Sequence, residues 1–287
     1  MTVGTSTWPT VVVTPDADAA SAEAAHRIEV ALIAGVGARG RADWATTGGS
    51  TPIGIYRALR GDAAARGSAG PSVPWDRVHL WWGDDRVVPR DDPRSNAAPA
   101  HAELLAGAPP AGIADGVPIP PRNVHAFPIG QALEATRGDA ARAAALAAAG
   151  ATLDLVDAGL ELDMSGFPVL DVVLVGVGVD GHLLSVFPGS AVWDSPAWVQ
   201  AVPAPSHIEP HVERVTLHPG ILAAARLPLV VAHGAGKAAI VTTVFGPQRD
   251  PRRWATQAAL LSAAFWVLDE AAAVGLPANV PTIRPAT

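Results

Sequence analysis

The chain has 287 residues and a formal net charge of −7, from 20 basic and 27 acidic side chains. This acidic balance, without a basic helix, argues against non-specific nucleic-acid binding, which depends on clustered lysine and arginine. The absence of cysteine excludes disulfides and thiol catalysis. No apolar run reaches the length of about 18 residues that a membrane span needs. Residues 1–15 lack the pattern of a signal peptide, so we expect a cytoplasmic protein.

Predicted strands alternate with predicted helices along the chain. Apolar or β-branched runs predict strands over Thr10–Thr14, 42–47, Val78–Trp82, 172–175, 215–217, 229–232 and 265–268. Helices are predicted from an N-cap at Asp16 or Asp18 to the glycines Gly35, Gly37 and Gly40, from Pro52 onwards, and over 95–105, 131–159, 236–244 and 269–274.

This alternation predicts an α/β protein with a three-layer, Rossmann-like architecture, in which helices cover both faces of a parallel-rich sheet. We find no internal repeat, and no linker clearly divides the chain. A proline- and glycine-rich loop over 108–122 is the weakest point, but mostly helix follows it. We therefore expect a single domain over residues 1–287.

The segment 171–189, DVVLVGVGVDGHLLSVFPG, places two titratable side chains after a buried strand. Asp180 and His182 lie in its glycine-rich loop, and ligands of open α/β sheets bind at the carboxyl ends of strands. Histidine is also the side chain that changes charge nearest to neutral pH. The pair is therefore a candidate site, although a tight turn with a packed or capping histidine remains an alternative.

The same segment matches the dinucleotide-binding fingerprint GxGxxG through Gly176, Gly178 and Gly181. That fingerprint requires a crossover helix and a second strand that ends in an acidic residue about 20 residues further on. Here Pro188 follows seven residues after Gly181, and more prolines come soon after it. The spacing therefore argues against a dinucleotide site.

A second glycine loop, Gly48-Gly49-Ser50-Thr51, lies between a predicted strand and a predicted helix. Glycines allow backbone N–H groups to approach a ligand, while the helix N-terminus and the hydroxyl groups favour an anion. The loop therefore predicts a phosphate or sugar-phosphate site, or else an ordinary capped turn. It lacks the GK[ST] ending of a Walker A loop.

Charged residues also follow two other predicted strands. Arg86 could bind a phosphate bidentately, and Asp84 and Asp85 could hold Arg86 or a sugar hydroxyl, unless the three form only a surface turn. Lys237 is the only lysine among the 20 basic residues. In an acidic protein, a local cluster of cations indicates an anionic ligand.

Two other patterns predict no chemistry. His207 and His211 flank Glu209, but Pro210 between them breaks the helical spacing of paired metal ligands, so we expect no metal site. The chain has no GxSxG motif, which argues against a Ser-His-Asp esterase, and Ser185 is predicted to be structural.

Five segments resemble, in the same order, motifs of the 6-phosphogluconolactonases. They are TGGSTPIGIYRAL (47–59), VHLWWGDDRVVPRDDPRSN (78–96), GVGVDGHLLSVFPGS (176–190), RVTLHPGILAAARLPLVVAHGAGK (214–237) and WVLDEAA (266–272). The resemblance extends from about residue 8 to residue 276. Asp85 stands where this family usually has glutamate, and Leu183-Leu184 replaces the more usual Thr-Ala.

The resemblance implies hydrolysis of 6-phospho-D-glucono-1,5-lactone, a step of the oxidative pentose phosphate pathway. It implies that His182 acts as general base and that Asp180 orients its imidazole or stabilises its charged form. The substrate-binding residues that it implies are Gly48, Gly49, Ser50, Thr51, Asp84, Arg86, Asn96, Arg214 and Lys237. No metal or cofactor is expected, and the expected form is a monomer with a small phosphosugar lactone as its ligand.

Two alternatives remain. One is an amino-sugar-phosphate isomerase or deaminase, a family of related fold in which an FNEP-like sequence follows the DGH motif. This chain has Ser185-Val186-Phe187-Pro188 there, which favours the lactonase. The other is a sugar-phosphate-binding relative without activity, since Leu183 and Leu184 change the neighbourhood of the base.

Overall fold

The computed structural model describes residues 8–65, 72–105, 116–261 and 263–285. Its strands are β1 (Thr10–Thr14), β2 (Ala42–Thr46), β3 (Val78–Trp82), β4 (Asp84–Arg86), β5 (Val124–His125), β6 (Val172–Gly176), β7 (Val199–Val202), β8 (Arg214–Leu217), β9 (Leu227–Ala232), β10 (Phe265–Asp269) and β11 (Thr282–Ile283). Its α-helices are α1 (Ala17–Arg39), α2 (Thr51–Ala65), α3 (Ala97–Glu103), α4 (Ile129–Ala135), α5 (Ala140–Asp157), α6 (Gly220–Ala224), α7 (Ala238–Phe245) and α8 (Glu270–Ala273).

Eight parallel strands form the main sheet, in the order β11-β1-β10-β9-β6-β2-β3-β5. Successive side chains of a strand point to opposite faces. In β6, Val173 and Val175 accordingly join one apolar core, whereas Val172 and Leu174 join the other. Helices α1 and α2 cover the second core, and α5 and α7 cover the first. The predicted three-layer α/β architecture is therefore confirmed.

A second, antiparallel sheet was not predicted. It has the order β4-β8-β7, and it places the charged segment Asp84–Arg86 in a strand instead of a loop. Strands of three or four residues are too short to show a period of two, so their pairing depends on contacts distant in sequence. The predicted strand 215–217 is the central strand of this sheet.

Helix α1 continues through two of the three glycines that were predicted to end it. Asp16 is its N-cap and accepts a hydrogen bond from the backbone N–H of Ala19, as one of the two expectations had it. Gly40 ends the helix in the left-handed region at φ 75°, but Gly35 and Gly37 lie within it. A Cβ at Gly35 would come within 2.9 Å of both Ala42 and Asp171, so this glycine allows close packing and does not end the helix.

The predicted helix 131–159 is two helices, α4 and α5. The chain turns between them with Arg137 at φ 54° and Gly138 at φ 83°, and the side chain of Asp139 then caps α5. Alanine-rich composition concealed this Gly-Asp sequence, which is a helix stop followed by a helix start. Most of the predicted loop 108–122 falls on residues 106–115, outside the described residues.

The strand order reverses between β2 and β6. From β2 the chain builds outwards through β3 and β5, and from β6 it builds the other way through β9 and β10. The loops after β2 and β6 therefore open side by side at the carboxyl edge, where open α/β sheets bind ligands. Among the described helices, none has the length and apolar character needed to cross a membrane.

Candidate active site

A cavity of about 290 Å³ opens at this strand-order reversal. Its lining includes ten of the eleven residues predicted for the site: Gly48, Gly49, Ser50, Thr51, Asp84, Arg86, Asn96, His182, Arg214 and Lys237. The eleventh, Asp180, lies behind His182 and binds it. Loops from both sheets thus bring together residues that are up to 189 positions apart in the chain.

His182 is held by Asp180 through one ring nitrogen. Its Nδ1 lies 2.5 Å from Oδ1 of Asp180, which also accepts the backbone N–H of His182 at 3.1 Å. No hydrogen bond of Nε2 occurs within the described part of the chain, so this nitrogen is open to a ligand. With Nδ1 protonated towards the carboxylate, Nε2 carries the lone pair that a general base needs.

Asp180 binds a second imidazole that the sequence had not indicated. Its Oδ2 lies 2.8 Å from Nε2 of His207, a residue dismissed above as a metal ligand. Burial raises the pKa of Asp180, but hydrogen bonds and charge from His182, together with the hydrogen bond from His207, hold it well below its usual range. The carboxylate is therefore ionised across neutral pH.

The glycine loop after β2 provides a backbone cradle at the start of α2. Gly49 has φ 76°, which favours glycine, and Ser50 precedes the first turn of the helix. A Cβ at Gly48 would overlap the side-chain amide of Asn96, so only glycine allows this close approach. Glycine and hydroxyl residues at the start of a helix are the kind of segment that binds anions through backbone N–H groups.

Asp84 and Asn96 form a buried network at the side of the cavity. The carboxylate of Asp84 accepts hydrogen bonds from the Ser185 hydroxyl at 2.5 Å and from Nδ2 of Asn96 at 3.2 Å. It therefore does not pair with Arg86, which corrects one of the two roles predicted for it. Ser185 is fully buried, in keeping with its predicted structural role. Oδ1 of Asn96 is buried against Gly48 and has no hydrogen-bond partner in the described structure.

Arg86 and Arg214 lie directly opposite each other on the antiparallel strands β4 and β8. Neither guanidinium forms an ion pair with a carboxylate among the residues that the structure describes, and Nε of Arg86 is buried without a partner. Burial, together with the charge of Arg86, lowers the pKa of Arg214 to about 10, although the charges of Asp84 and Asp85 oppose this shift. Like charges directly opposite on a sheet are destabilising, which makes the two arginines a candidate anion site.

Lys237 also lines the cavity and comes from the short turn Ala235–Lys237 after β9. Its ammonium donates to the backbone carbonyl of Val177 at 2.7 Å. Burial lowers the pKa of Lys237, and the charge of Asp180 opposes that shift. Lys237 therefore lies on the same side as the Asp180–His182 pair, whereas the two arginines lie together on the small sheet.

A family profile described as glucosamine-6-phosphate isomerases/6-phosphogluconolactonase matches residues 15–266. The chain belongs to this family. It is 34% identical to a 6-phosphogluconolactonase of Mycobacterium leprae over 88% of this chain and 93% of that protein. It is 32% identical to one of Streptomyces coelicolor over 96% of this chain and 97% of that protein.

The fold agrees with this membership of the glucosamine-6-phosphate isomerase/6-phosphogluconolactonase family. A solved structure of 6-phosphogluconolactonase from Trypanosoma brucei superposes with a TM-score of 0.74 at 28% identity, covering 94% of this chain and 99% of that one.

In the described structure no helix follows β6 directly, and the next helical segment is a short 3₁₀ turn at Ala191–Asp194. The dinucleotide interpretation of the GxGxxG match therefore fails.

Within this family site, Leu184 is unusual because of its backbone conformation. It has φ 56°, a value that costs a residue with a branched side chain about 1–2 kcal/mol. Its side chain packs against Gly83 and lines the cavity beside His182. The Leu184 side chain therefore takes up space in the cavity next to the candidate base, His182.

Asp85 organises the segment between Arg86 and Asn96. Its Oδ1 accepts the backbone N–H groups of Arg86 at 2.7 Å and Asn96 at 2.6 Å, and its Oδ2 accepts the Ser95 hydroxyl at 3.2 Å. Burial is the main reason that its pKa is raised to about 6. The folded protein therefore holds this proton at a pH where the unfolded chain has lost it.

This raised pKa predicts a specific pH dependence of stability. Between the unfolded value of about 3.9 and the folded value of about 6, the contribution of Asp85 falls as the pH rises. Asp85→Asn keeps an acceptor for both N–H groups and should remove this dependence, which makes the variant relatively more stable at pH 7 than at pH 4. Urea unfolding at several pH values measures it, and identical pH profiles for both proteins would contradict it.

Proposed function

We propose that this chain hydrolyses 6-phospho-D-glucono-1,5-lactone to 6-phospho-D-gluconate. The observation that carries the proposal is the open Nε2 of His182, backed by Asp180, in a cavity that three cations line. A base and an anion site in one cavity suit a phosphorylated substrate that needs water activated. The two curated relatives described above are named 6-phosphogluconolactonases, which supports the same activity.

Neutral His182 takes a proton from a water molecule through Nε2 as the water oxygen attacks the lactone carbonyl carbon. The bond from this carbon to the ring oxygen then breaks, and protonated His182 returns the proton to that oxygen. Asp180 holds the imidazole in one tautomer and stabilises its cationic form between the two steps. The products are a free sugar hydroxyl and a carboxylic acid, which releases its proton to solvent and becomes a carboxylate, so atoms and protons balance.

The cations divide between two parts of the substrate. Arg86 and Arg214, with the Gly48–Thr51 loop, hold the phosphate because they form a like-charged pair without a carboxylate partner. Lys237 lies on the side of Asp180 and His182 and stabilises the oxyanion that forms at the carbonyl. Asn96 shapes the wall of the site, because its amide packs against Gly48 and donates a hydrogen bond to the backbone carbonyl of Asp84.

The remaining expectations form part of the same proposal. The enzyme works as a cytoplasmic monomer, as a single domain over residues 1–287, without nucleic acid, metal or cofactor. A lactone carbonyl is already electrophilic, so its hydrolysis needs no metal.

A coupled assay tests the proposed function. Glucose-6-phosphate dehydrogenase generates the lactone in situ, and 6-phosphogluconate dehydrogenase reports the product. We expect the protein to accelerate lactone hydrolysis above its spontaneous rate. No acceleration would refute the proposal, and release of ammonia from glucosamine 6-phosphate would instead assign the protein to the isomerase branch of the family.

A further inference from the structure

Asp180 lies between two imidazoles, one on each carboxylate oxygen. Nδ1 of His182 lies 2.5 Å from Oδ1, and Nε2 of His207 lies 2.8 Å from Oδ2. We propose that His207 is a positioning residue for His182, and that its protonation sets the acid limit at which His182 works as a base. The proposal adds a residue to the proposed lactonase function and rests on that function for its kinetic test.

The first step of the argument is geometric. The torsion that turns a carboxylate is broad and weakly restrained, so a hydrogen bond to one oxygen alone leaves its plane free to rotate. Here both oxygens of Asp180 are held, which fixes the plane and therefore the imidazole of His182. His207 does not line the cavity, and its ring contacts the site through Asp180.

The second step is electrostatic. One ionised carboxylate serves two groups that both become cations when protonated. A proton on His207 pairs with the charge of Asp180 and opposes a proton on His182, because the two imidazoles share one carboxylate.

The surroundings preserve this coupling. Phe187, which is 7% exposed, contacts both rings, with its centroid 4.9 Å from that of His182 and 5.8 Å from that of His207. An apolar ring at this position limits the water that would screen the charges. The side chain of His207 itself is 47% exposed, so it exchanges protons readily with solvent.

Other charged groups also lie near the pair. Lys237 faces Asp180, and the guanidinium of Arg214 lies 5.8 Å from the centroid of the Phe187 ring. Glu209 and His211, on the same segment as His207, lie 3.1 Å apart, and neither is hydrogen-bonded to Asp180 in the described structure. Two described side chains are hydrogen-bonded to Asp180, and both are imidazoles, those of His182 and His207.

The test compares kcat and KM over a range of pH for His207→Ala. We expect kcat on the pH plateau to fall about 3–10-fold, because Asp180 is less fixed, while KM stays within about two-fold. The acid limb of the profile should move to higher pH by about half a unit, because the charge of Asp180 then stabilises protonated His182 alone. Unchanged kcat and an unchanged profile would overturn the proposal.

Two further variants separate positioning from charge and from loop structure. His207→Gln keeps an N–H donor for Oδ2, so it should restore kcat, but it cannot gain a charge and should retain the shifted acid limb. His211→Ala removes an imidazole that bonds the carbonyl of Pro205 at 2.6 Å in the same segment, without touching Asp180. It should behave as the wild type; an equal effect from His211→Ala would show that loosening of the segment is responsible and would overturn the proposal.

An NMR titration of His182 distinguishes failure of this proposal from failure of the proposed function, because it needs no substrate. In His207→Ala the titration midpoint of His182 should move to higher pH by the same half unit, approximately. If the wild type has no lactonase activity, the proposed function is refuted. A shifted midpoint of His182 in His207→Ala would still support the coupling. An unchanged midpoint would refute the coupling, whatever the activity.

Discussion

His182→Ala should lower kcat for lactone hydrolysis by about 10²–10⁴-fold, the usual contribution of a positioned general base. The reason is that no other neutral base lines the described cavity, since Lys237 and the two arginines are cations and the Asp84 carboxylate is bonded to Ser185 and Asn96. KM should change little, because the predicted contacts to phosphate remain. The coupled lactone assay, corrected for spontaneous hydrolysis, measures both parameters.

The matched control is His26→Ala, which removes an exposed histidine from α1, far in sequence from the cavity residues. It should retain the rate of the wild type. Circular dichroism checks that His182→Ala is folded. If the folded variant still hydrolyses the lactone at the wild-type rate, His182 is not the base. The lactonase activity itself would then stand, with a different group activating the water.

The main sheet and the location of the site could be predicted because their signals are local. Runs such as Val172–Gly176 are apolar, short and bounded by glycine, which is how buried parallel strands differ from helices. The loops that follow them carry glycine, hydroxyl and charged residues. The resemblance assigned the loop after β2 and the loop after β6 to one ligand, and the shared carboxyl edge of their parallel strands places both at one cavity.

Features that depend on distant contacts could not be predicted. The charged strand β4 has no apolar pattern, and it is a strand only because β8, some 130 positions later, pairs with it. The opposition of Arg86 and Arg214 follows from that register and was not visible in the motifs. His207 approaches Asp180 from 27 positions away, and neither residue's neighbours in sequence indicate the contact.

Arg86→Met should lower kcat/KM about 10–10²-fold, mainly through a higher KM, because hydrogen bonds to charged groups contribute about 1.5–3 kcal/mol each. Inorganic phosphate should inhibit the wild type and raise its thermal midpoint, as any ligand that binds only the folded state does. Both effects should be much weaker in the variant. Arg284→Met is the matched control, because it removes the same charge from an exposed side chain that pairs with Glu270 at 2.9 Å and does not line the cavity.

The arrangement of the arginine pair makes this result decisive for where the phosphate binds. Arg214 opposite Arg86 is unfavourable in the empty protein, and a bound phosphate turns that repulsion into two attractions. Removing Arg86 relieves the repulsion and, by the same change, removes half of the anion site. Phosphate should therefore stabilise the wild type more than Arg86→Met, whereas equal stabilisation of both proteins would place the phosphate at Lys237 and assign the arginines to another part of the substrate.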